Sequence, residues 1–262
     1  MIRNLFKQIW KKVVPIFLRK HIYRFRLIFI MLSKAIVSPS QILYLFTNLT
    51  FAKDGFTTVH NIDYLSKKQF LEAFEKSLDG VPEDLREGFE SIIYRNHITT
   101  WAANQAISLE GDFVECGVWY GIQSLTICNY LDFSKHDRRF WLLDSWGQEG
   151  SHSDYKEDIY KVVEKRFSEF SNVVLIRGLV PQTLHKVQSK KIAYLSIDMN
   201  GWFPELETLN FFYHKMVRGG VIYFDDYGWD YPELRSVVDK FFEEKPESIL
   251  NFPSGNAIVI KV

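Results

Sequence analysis

Cysteine is scarce in this chain of 262 residues, which contains only Cys116 and Cys128. Two cysteines cannot form the several crosslinks of a disulfide-stabilised domain, and no Cys/His spacing resembles a zinc site. The hydrophobic fraction of 47% and the charged fraction of 24% are those of an ordinary globular chain, which excludes a disordered or collagen-like polymer. We therefore predict a protein of a reducing, cytoplasmic compartment.

Long hydrophobic runs are also missing. The stretch 27–33 offers only seven uncharged residues between Arg26 and Lys34. Residues 35–52 lack charge but contain Pro39 and several polar side chains, which predicts a helical hairpin rather than a membrane span. No small-residue cleavage site follows an apolar core, so we predict no secretory signal.

Acidic residues are absent from the first 53 positions, which carry ten lysines and arginines. The other 209 residues hold 22 basic and 32 acidic groups, so a basic arm precedes an acidic body. The arm is too apolar and the body too acidic for a nucleic-acid-binding domain. In residues 1–14 apolar and basic side chains alternate at helical spacing, which predicts contact of residues 1–37 with the anionic inner face of a membrane. The alternative is that this apolar face packs on the rest of the protein or on a second subunit of a homo-oligomer.

The remainder of the chain predicts an α/β fold. Residues 63–78 and 82–109 have helical patterns, and short apolar runs then alternate with amphipathic stretches in five α/β units. The last two runs, 248–252 and 257–262, predict an antiparallel hairpin. We expect a doubly wound, mostly parallel sheet of seven strands with an antiparallel C-terminal hairpin. The predicted division is a basic amphipathic helical arm (1–55), a helical cap (56–110) and a Rossmann-like domain (111–262).

The dinucleotide signature G-x-G-x-x-G is absent after the first strand of this domain, because Trp119 stands at the middle glycine. Glycines at such a turn still let a ligand approach the backbone, and a helix N-terminus favours negative groups. A cofactor without a diphosphate, such as S-adenosylmethionine, tolerates Trp119. We predict that Glu115, Gly117, Gly121 and Ser124 bind it; the alternative is a tight turn that needs glycine for packing alone.

The second predicted strand ends at Asp144, followed by Ser145. An acid at this place accepts hydrogen bonds from ribose hydroxyls in nucleotide-binding α/β folds. Both residues are therefore predicted cofactor contacts, with capping of the next turn as the alternative.

Three carboxylates follow two further strands. Asp198 ends the fourth, and Asp225 and Asp226 end the fifth. Carboxyl ends of neighbouring parallel strands meet at one edge of a sheet, where like charges repel unless a cation or a substrate donor is present. Magnesium fits such oxygen ligands. The alternative is that Asp225 or Asp226 caps a turn in water.

These motifs, taken in order, resemble the macrocin O-methyltransferase-like class I methyltransferases over residues 90–262. The segments that carry the resemblance are Asp112-Phe113-Val114-Glu115-Cys116-Gly117-Val118-Trp119-Tyr120-Gly121, Leu143-Asp144-Ser145-Trp146-Gly147, Ile197-Asp198-Met199-Asn200, Pro204-Glu205, Gly219-Gly220-Val221, Asp225-Asp226-Tyr227-Gly228, and Pro253-Ser254-Gly255-Asn256 with Ile258-Val259-Ile260-Lys261.

The resemblance implies a methyltransferase sheet, S-adenosylmethionine as donor and a sugar hydroxyl of a glycan or glycosylated natural product as acceptor. It also implies magnesium held by the residues matching Asp198, Asp225 and Asp226. The chain departs from the family at Asn200, where the family has a second aspartate; this puts the metal in doubt more than the cofactor.

Methyl transfer to oxygen requires positioned reactants and removal of a proton from the acceptor. Asp198 is the predicted catalytic carboxylate, and it also borders the cofactor. His152, in the loop after the second strand, is a candidate base, although a single loop histidine is more often simply solvated. Two other functions stay open at this point. One is a non-catalytic cofactor-fold protein that organises partners through its N-terminal helices, and the other is dehydrogenase or nucleotide-sugar chemistry, which Trp119 disfavours.

Overall fold

A computed structural model of the chain describes residues 39–147, 159–229 and 232–262. These residues divide into two compact units, one that contains 39–52 with 56–62 and one that contains 53–55 with the described residues from 63 onward. The sequence suggested a separate helical cap at 56–110; in the structure residues 63–110 belong to the same compact unit as the sheet.

The first unit contains helix α1 (Pro39–Asn48) and most of a two-stranded hairpin, β1 (Phe51–Lys53) with β2 (Phe56–Thr58). The predicted helical hairpin over residues 35–52 is therefore wrong from Phe51 onward. Asp54 and Gly55 form the connecting turn and both have positive φ, +49° and +75°. Two such residues form the tight turn that favours pairing of the flanking β-prone segments, so the strands form here in place of a second helix.

The second unit contains a sheet of seven strands. They are β3 (Asp112–Cys116), β4 (Phe140–Asp144), β5 (Val173–Arg177), β6 (Ile192–Ile197), β7 (Met216–Phe224), β8 (Ile249–Asn251) and β9 (Ala257–Ile260). Their spatial order is β5-β4-β3-β6-β7-β9-β8. The first five strands in this order are parallel to their neighbours, whereas β9 is antiparallel to both β7 and β8. The predicted fold class is confirmed.

Seven helices accompany these strands in the described part of the second unit. They are α2 (Lys68–Ser77), α3 (Glu83–Ser91), α4 (Ile93–Ala106), α5 (Ile122–Tyr130), α6 (Tyr160–Arg166), α7 (Trp202–Phe212) and α8 (Pro232–Phe242). The helix predicted over 63–78 is shorter, because 63–66 form a 3-10 turn, and the helix predicted over 82–109 is interrupted at Ile92, where the backbone φ and ψ of −96° and 17° leave the helical range. No helix among the described residues is long and apolar enough to cross a bilayer.

The core lies on both faces of the central strands. All six residues of β6 are buried, as are all five of β4, which explains why both segments consist mainly of apolar residues. The strand order reverses between β3 and β6, since the chain runs outward to β5 on one side and to β7 on the other. Ligands of open α/β sheets bind beyond the carboxyl ends of the strands at such a switch point.

Candidate active site

The turn after β3, residues 117–121, has two glycines with left-handed backbone, and we call it the glycine turn. Gly117 has φ +88°, and a Cβ at this position would overlap the carbonyl oxygen of Asp198. Gly121 has φ +73°, and a Cβ there would lie 2.5 Å from the ring of Phe167. The turn therefore needs glycine at both positions for packing, and Gly121 also begins helix α5. This packing role is the alternative given in the sequence analysis, and it does not conflict with the predicted contact between the turn and the cofactor.

The carboxylate of Asp144 accepts hydrogen bonds from the turn after β3 and from the turn after β4. Its Oδ2 accepts hydrogen bonds from the backbone N–H groups of Val118 at 2.7 Å and Trp119 at 2.8 Å. Its Oδ1 accepts hydrogen bonds from the backbone N–H of Trp146 at 2.9 Å and from the Ser145 hydroxyl at 3.3 Å. The carboxylate thus holds the turn after β3 in place. The ribose contact predicted for Asp144 and Ser145 stays a prediction.

Glu115 and Ser124 are enclosed by protein. Glu115 is only 2% exposed, and Ser124 is fully buried. Burial raises the pKa of Glu115 to about 8. The hydroxyl of Ser124 interacts with the carboxylate and offsets part of this rise, and Ser196 lies opposite Glu115 in the ladder between β3 and β6. The predicted cofactor contact of Glu115 and Ser124 stays a prediction, and both belong to a polar patch inside the domain.

Asp198, Asp225 and Asp226 converge as the sequence predicts. Their strands are neighbours, and the ladder continues past the strand ends: the Asp198 N–H donates to Cys116 O at 2.9 Å, and the Asp225 N–H donates to Ile197 O at 3.1 Å. One carboxylate oxygen from each of the three lies within 4.8 Å of the others. This acidic cluster, as we call these three residues, is the strongest concentration of charge at the switch point.

Asp225 has the most hydrogen bonds in the acidic cluster. Its Oδ1 accepts the hydroxyl of Tyr223 at 2.6 Å, the amide of Gln123 at 3.2 Å and the amide of Asn256 at 3.3 Å. Its Oδ2 accepts the guanidinium of Arg95. Asp225 therefore joins helix α5, which follows the glycine turn, to helix α4 and the C-terminal hairpin.

Arg95 is a buried cation beside the acidic cluster. It is 6% exposed and lies on helix α4. Its Nε donates to Asp54 at 2.7 Å, its Nη1 also lies 3.7 Å from Asp226, and its guanidinium lies 5.1 Å from the ring centre of Trp229. Burial alone would lower the pKa of Arg95, but Asp225 and the other anions outweigh it and raise the pKa. The guanidinium therefore stays charged.

The acidic cluster has more negative charge than Arg95 offsets. Burial and the neighbouring carboxylates Asp225 and Asp226 raise the pKa of Asp198, and burial followed by Asp225 raises that of Asp226 to about 7. Glu205, in the first turn of α7, is 5% exposed, and burial together with Asp226 raises its pKa to about 8. A bound cation, or hydrogen-bond donors of a substrate, would reduce the repulsion among these carboxylates.

Not every residue of this site was predicted from the sequence, and one residue that was, His152, lies outside the described part. The role of His152 as a base therefore stays a prediction. Asn200, at the position where the resemblance implies a second aspartate, is exposed. The residues not foreseen are Asp54, Arg95, Gln123 and Asn256. Nothing in a single sequence distinguishes them from ordinary helix and turn residues.

The family is decided by comparison with known protein families. Residues 95–249, more than half of the chain, match the macrocin-O-methyltransferase (TylF) family. The chain belongs to this family. As a macrocin-O-methyltransferase family member it is an S-adenosylmethionine-dependent methyltransferase, which confirms the resemblance, the enzyme class and the methyl donor expected from the sequence. The match includes Glu115, Asp144, Asp198 and the Asp225–Asp226 pair but not Asp54.

Solved structures of similar fold include three O-methyltransferases or methyltransferases. The O-methyltransferase NovP is 22% identical, with 65% of this chain and 80% of that chain covered and a TM-score of 0.53. CalS11, a TDP-rhamnose 3'-O-methyltransferase of calicheamicin biosynthesis, is 15% identical, with 77% and 96% covered and a TM-score of 0.50. PaMTH1 of Podospora anserina, solved with SAH bound, is 14% identical, with 75% and 88% covered and a TM-score of 0.52. Among proteins of curated function, none matches this chain in sequence.

Proposed function

We propose that this family member transfers the methyl group of S-adenosylmethionine to a hydroxyl of a sugar, in a glycan or a glycosylated natural product. The observation that carries the proposal is the convergence of Asp198, Asp225 and Asp226 beside the glycine turn. The family name and the printed names of NovP and CalS11, one of which acts on TDP-rhamnose, support the substrate class.

The cofactor in this proposal lies along the turns that follow β3 and β4. Gly117 and Gly121 shape the turn after β3, where they make room for the Asp198 carbonyl and the Phe167 ring, and Asp144 with Ser145 stands at the end of the next strand. Asp198 follows β6, directly across from Gly117. Because methyl transfer is an in-line displacement, the acceptor hydroxyl must approach the methyl carbon on the line that passes through the donor sulfur. The strand ends at the switch point bring the residues assigned to the donor and to the acceptor side by side.

Asp198 is the residue we assign to the acceptor proton. Among the described residues none donates a hydrogen bond to its side chain, so the carboxylate is left to accept one from a substrate hydroxyl. Burial and the neighbouring Asp225 and Asp226 raise its pKa, so Asp198 holds a proton more strongly than an isolated aspartate does. His152 remains a second candidate on sequence grounds alone.

Magnesium belongs to this proposal as an assisting ion. The donor set fits it, since three carboxylates offer oxygens within 4.8 Å of one another and their charge exceeds that of Arg95. When bound, such an ion would lower the pKa of a chelated sugar hydroxyl. Asp198 and Asp226 would hold it with the least rearrangement, because Arg95 and three other donors already bind Asp225.

A labelled-donor experiment tests the function. The protein is incubated with methyl-labelled S-adenosylmethionine and a glycan extract, and the methylated product is identified. We expect label on a sugar oxygen, a fall of at least tenfold after chelation, and recovery with magnesium. Label on nitrogen or on a non-sugar acceptor would contradict the substrate class. An unchanged rate after chelation would remove the metal and leave the carboxylates as base or substrate ligands.

We further propose that residues 1–37 contact an anionic membrane surface from the cytoplasmic side, where a lipid-linked glycan acceptor would be found. This rests on the sequence pattern, because these residues lie outside the described part. Flotation with anionic vesicles checks it. The full chain should float and be released by high salt, whereas a chain that starts at Asp54 should stay in solution. Equal behaviour of the two would favour packing of the arm on protein, including a homo-oligomer.

A further inference from the structure

Most of the acceptor capacity of Asp225 is already used within the protein. An ionised carboxylate offers about four lone-pair positions. Three side chains share its Oδ1, namely the Tyr223 hydroxyl and the Gln123 and Asn256 amides, and the Arg95 guanidinium binds its Oδ2. A fifth bond runs from the Asn256 amide to the backbone carbonyl of Asp225 at 2.6 Å. Oδ1 is therefore fully used within the protein, and a ligand that reached Oδ2 would have to share it with Arg95.

Its two neighbours in the acidic cluster are in the opposite situation. Within 39–147, 159–229 and 232–262, no side chain or backbone N–H donates a hydrogen bond to the carboxylate of Asp198 or Asp226. Both are partly exposed, whereas Asp225 is 4% exposed. The only described cation near Asp226 is Arg95, at 3.7 Å.

Arg95 is held in this position from the other side. Asp54 accepts its Nε and also the hydroxyl of the preceding residue, Tyr94, both at 2.7 Å. A buried arginine between two carboxylates has a fixed direction, because its planar donors must satisfy both. The guanidinium therefore cannot turn toward Asp226 without breaking the pair with Asp54 or Asp225.

We propose that Arg95 is a positioning residue. Anchored by Asp54, it keeps Asp225 as a structural member of the site and leaves Asp198 and Asp226 as the carboxylates that bind the cation. The inference rests on the proposed function for the presence of a cation. It differs from the family expectation stated above, in which both aspartates of the Asp225–Asp226 pair are metal ligands.

Manganese(II) alone is the probe, because it prefers the same oxygen ligands as magnesium and its binding is measured by electron paramagnetic resonance without an acceptor. The matched variants are Asp225→Asn and Asp226→Asn, adjacent residues with the same chemical change. We expect Asp226→Asn to weaken manganese binding at least tenfold with little change in melting temperature. Asp225→Asn should lower the melting temperature by several degrees and change the affinity less than threefold.

Arg95→Gln separates a positioning role from a merely structural one. Loss of the guanidinium frees Asp225 and removes a positive charge, so manganese should bind at least threefold more tightly. Combining Arg95→Gln with Asp225→Asn should return the affinity to that of the wild type. Asp132→Asn, at an exposed residue paired with Lys135, is the control and should change neither quantity.

Three results would overturn the proposal. They are a loss of affinity in Asp225→Asn equal to that in Asp226→Asn, an unchanged or lower affinity in Arg95→Gln, and no manganese binding by the wild type. If Asp225→Asn does not fold, Arg95→Gln and Asp226→Asn still decide the question. None of these titrations involves an acceptor, so their failure is distinguishable from failure of the sugar assignment, which the labelled-donor experiment reports.

Discussion

Replacement of Asp198 by asparagine is expected to lower the rate of methyl transfer by about 10²–10⁴-fold. The reason is chemical, because the amide has the shape of the carboxylate but neither accepts the acceptor proton nor bears the charge that a cation requires. The rate is measured with labelled S-adenosylmethionine and the acceptor isolated in the glycan screen. The affinity for S-adenosylmethionine, measured by calorimetry, should change less than tenfold.

The same variant should be at least as stable as the wild type when metal is chelated, since it removes one of three mutually repelling carboxylates. A thermal melt in chelator therefore distinguishes lost chemistry from lost fold. Asp132→Asn is again the matched control and should keep full activity. A rate within tenfold of the wild type for Asp198→Asn would show that the base is elsewhere, with His152 the next residue to test.

Replacement of Gly117 by alanine is expected to destabilise the protein by about 3 kcal/mol or more and to weaken S-adenosylmethionine binding at least tenfold. Its φ of +88° disfavours any residue with a Cβ, and the added methyl group would overlap the carbonyl of Asp198. The end of β6 or the turn after β3 must then shift, and both carry the site. Urea unfolding gives the stability, and calorimetry gives the affinity.

Gly88→Ala is the control for this substitution. Gly88 lies in helix α3, and an added Cβ would meet nothing within 4 Å. Alanine there should be neutral or stabilise the helix by about 0.5–1 kcal/mol. Equal effects of alanine at Gly88 and Gly117 would contradict the argument from close approach at the turn.

The central strands could be predicted because their environment leaves a simple pattern in the sequence. Residues 192–197, one of the short apolar runs that predict the sheet, form β6, since a strand buried on both faces is a short run of apolar residues. The glycine turn and Asp144 were placed correctly at strand ends for the same reason. The hairpin of β1 and β2 was not foreseen, because two strands of three residues leave too short a pattern.

The composition of the acidic cluster was also predictable, but its internal order was not. Adjacent strand ends bring Asp198, Asp225 and Asp226 together in any doubly wound sheet. The three carboxylates differ in their contacts with Arg95, which is 130 positions from Asp225 and 41 from Asp54 along the chain. An arginine in a helix is by default exposed, so the sequence offers no reason to bury it beside these carboxylates.

The sequence by itself determined the sheet, the turn that requires glycine and the three carboxylates at neighbouring strand ends, because each depends on local pattern and on the one topology that the pattern allows. Only the tertiary structure decided which of these carboxylates accepts hydrogen bonds from the protein and which two do not, among the described residues. That distinction is a matter of a few ångströms between side chains from helix α4, helix α5, the β1–β2 turn and the C-terminal hairpin. Hydrogen bonds and ion pairs act over such distances irrespective of separation along the chain, so no local pattern records them.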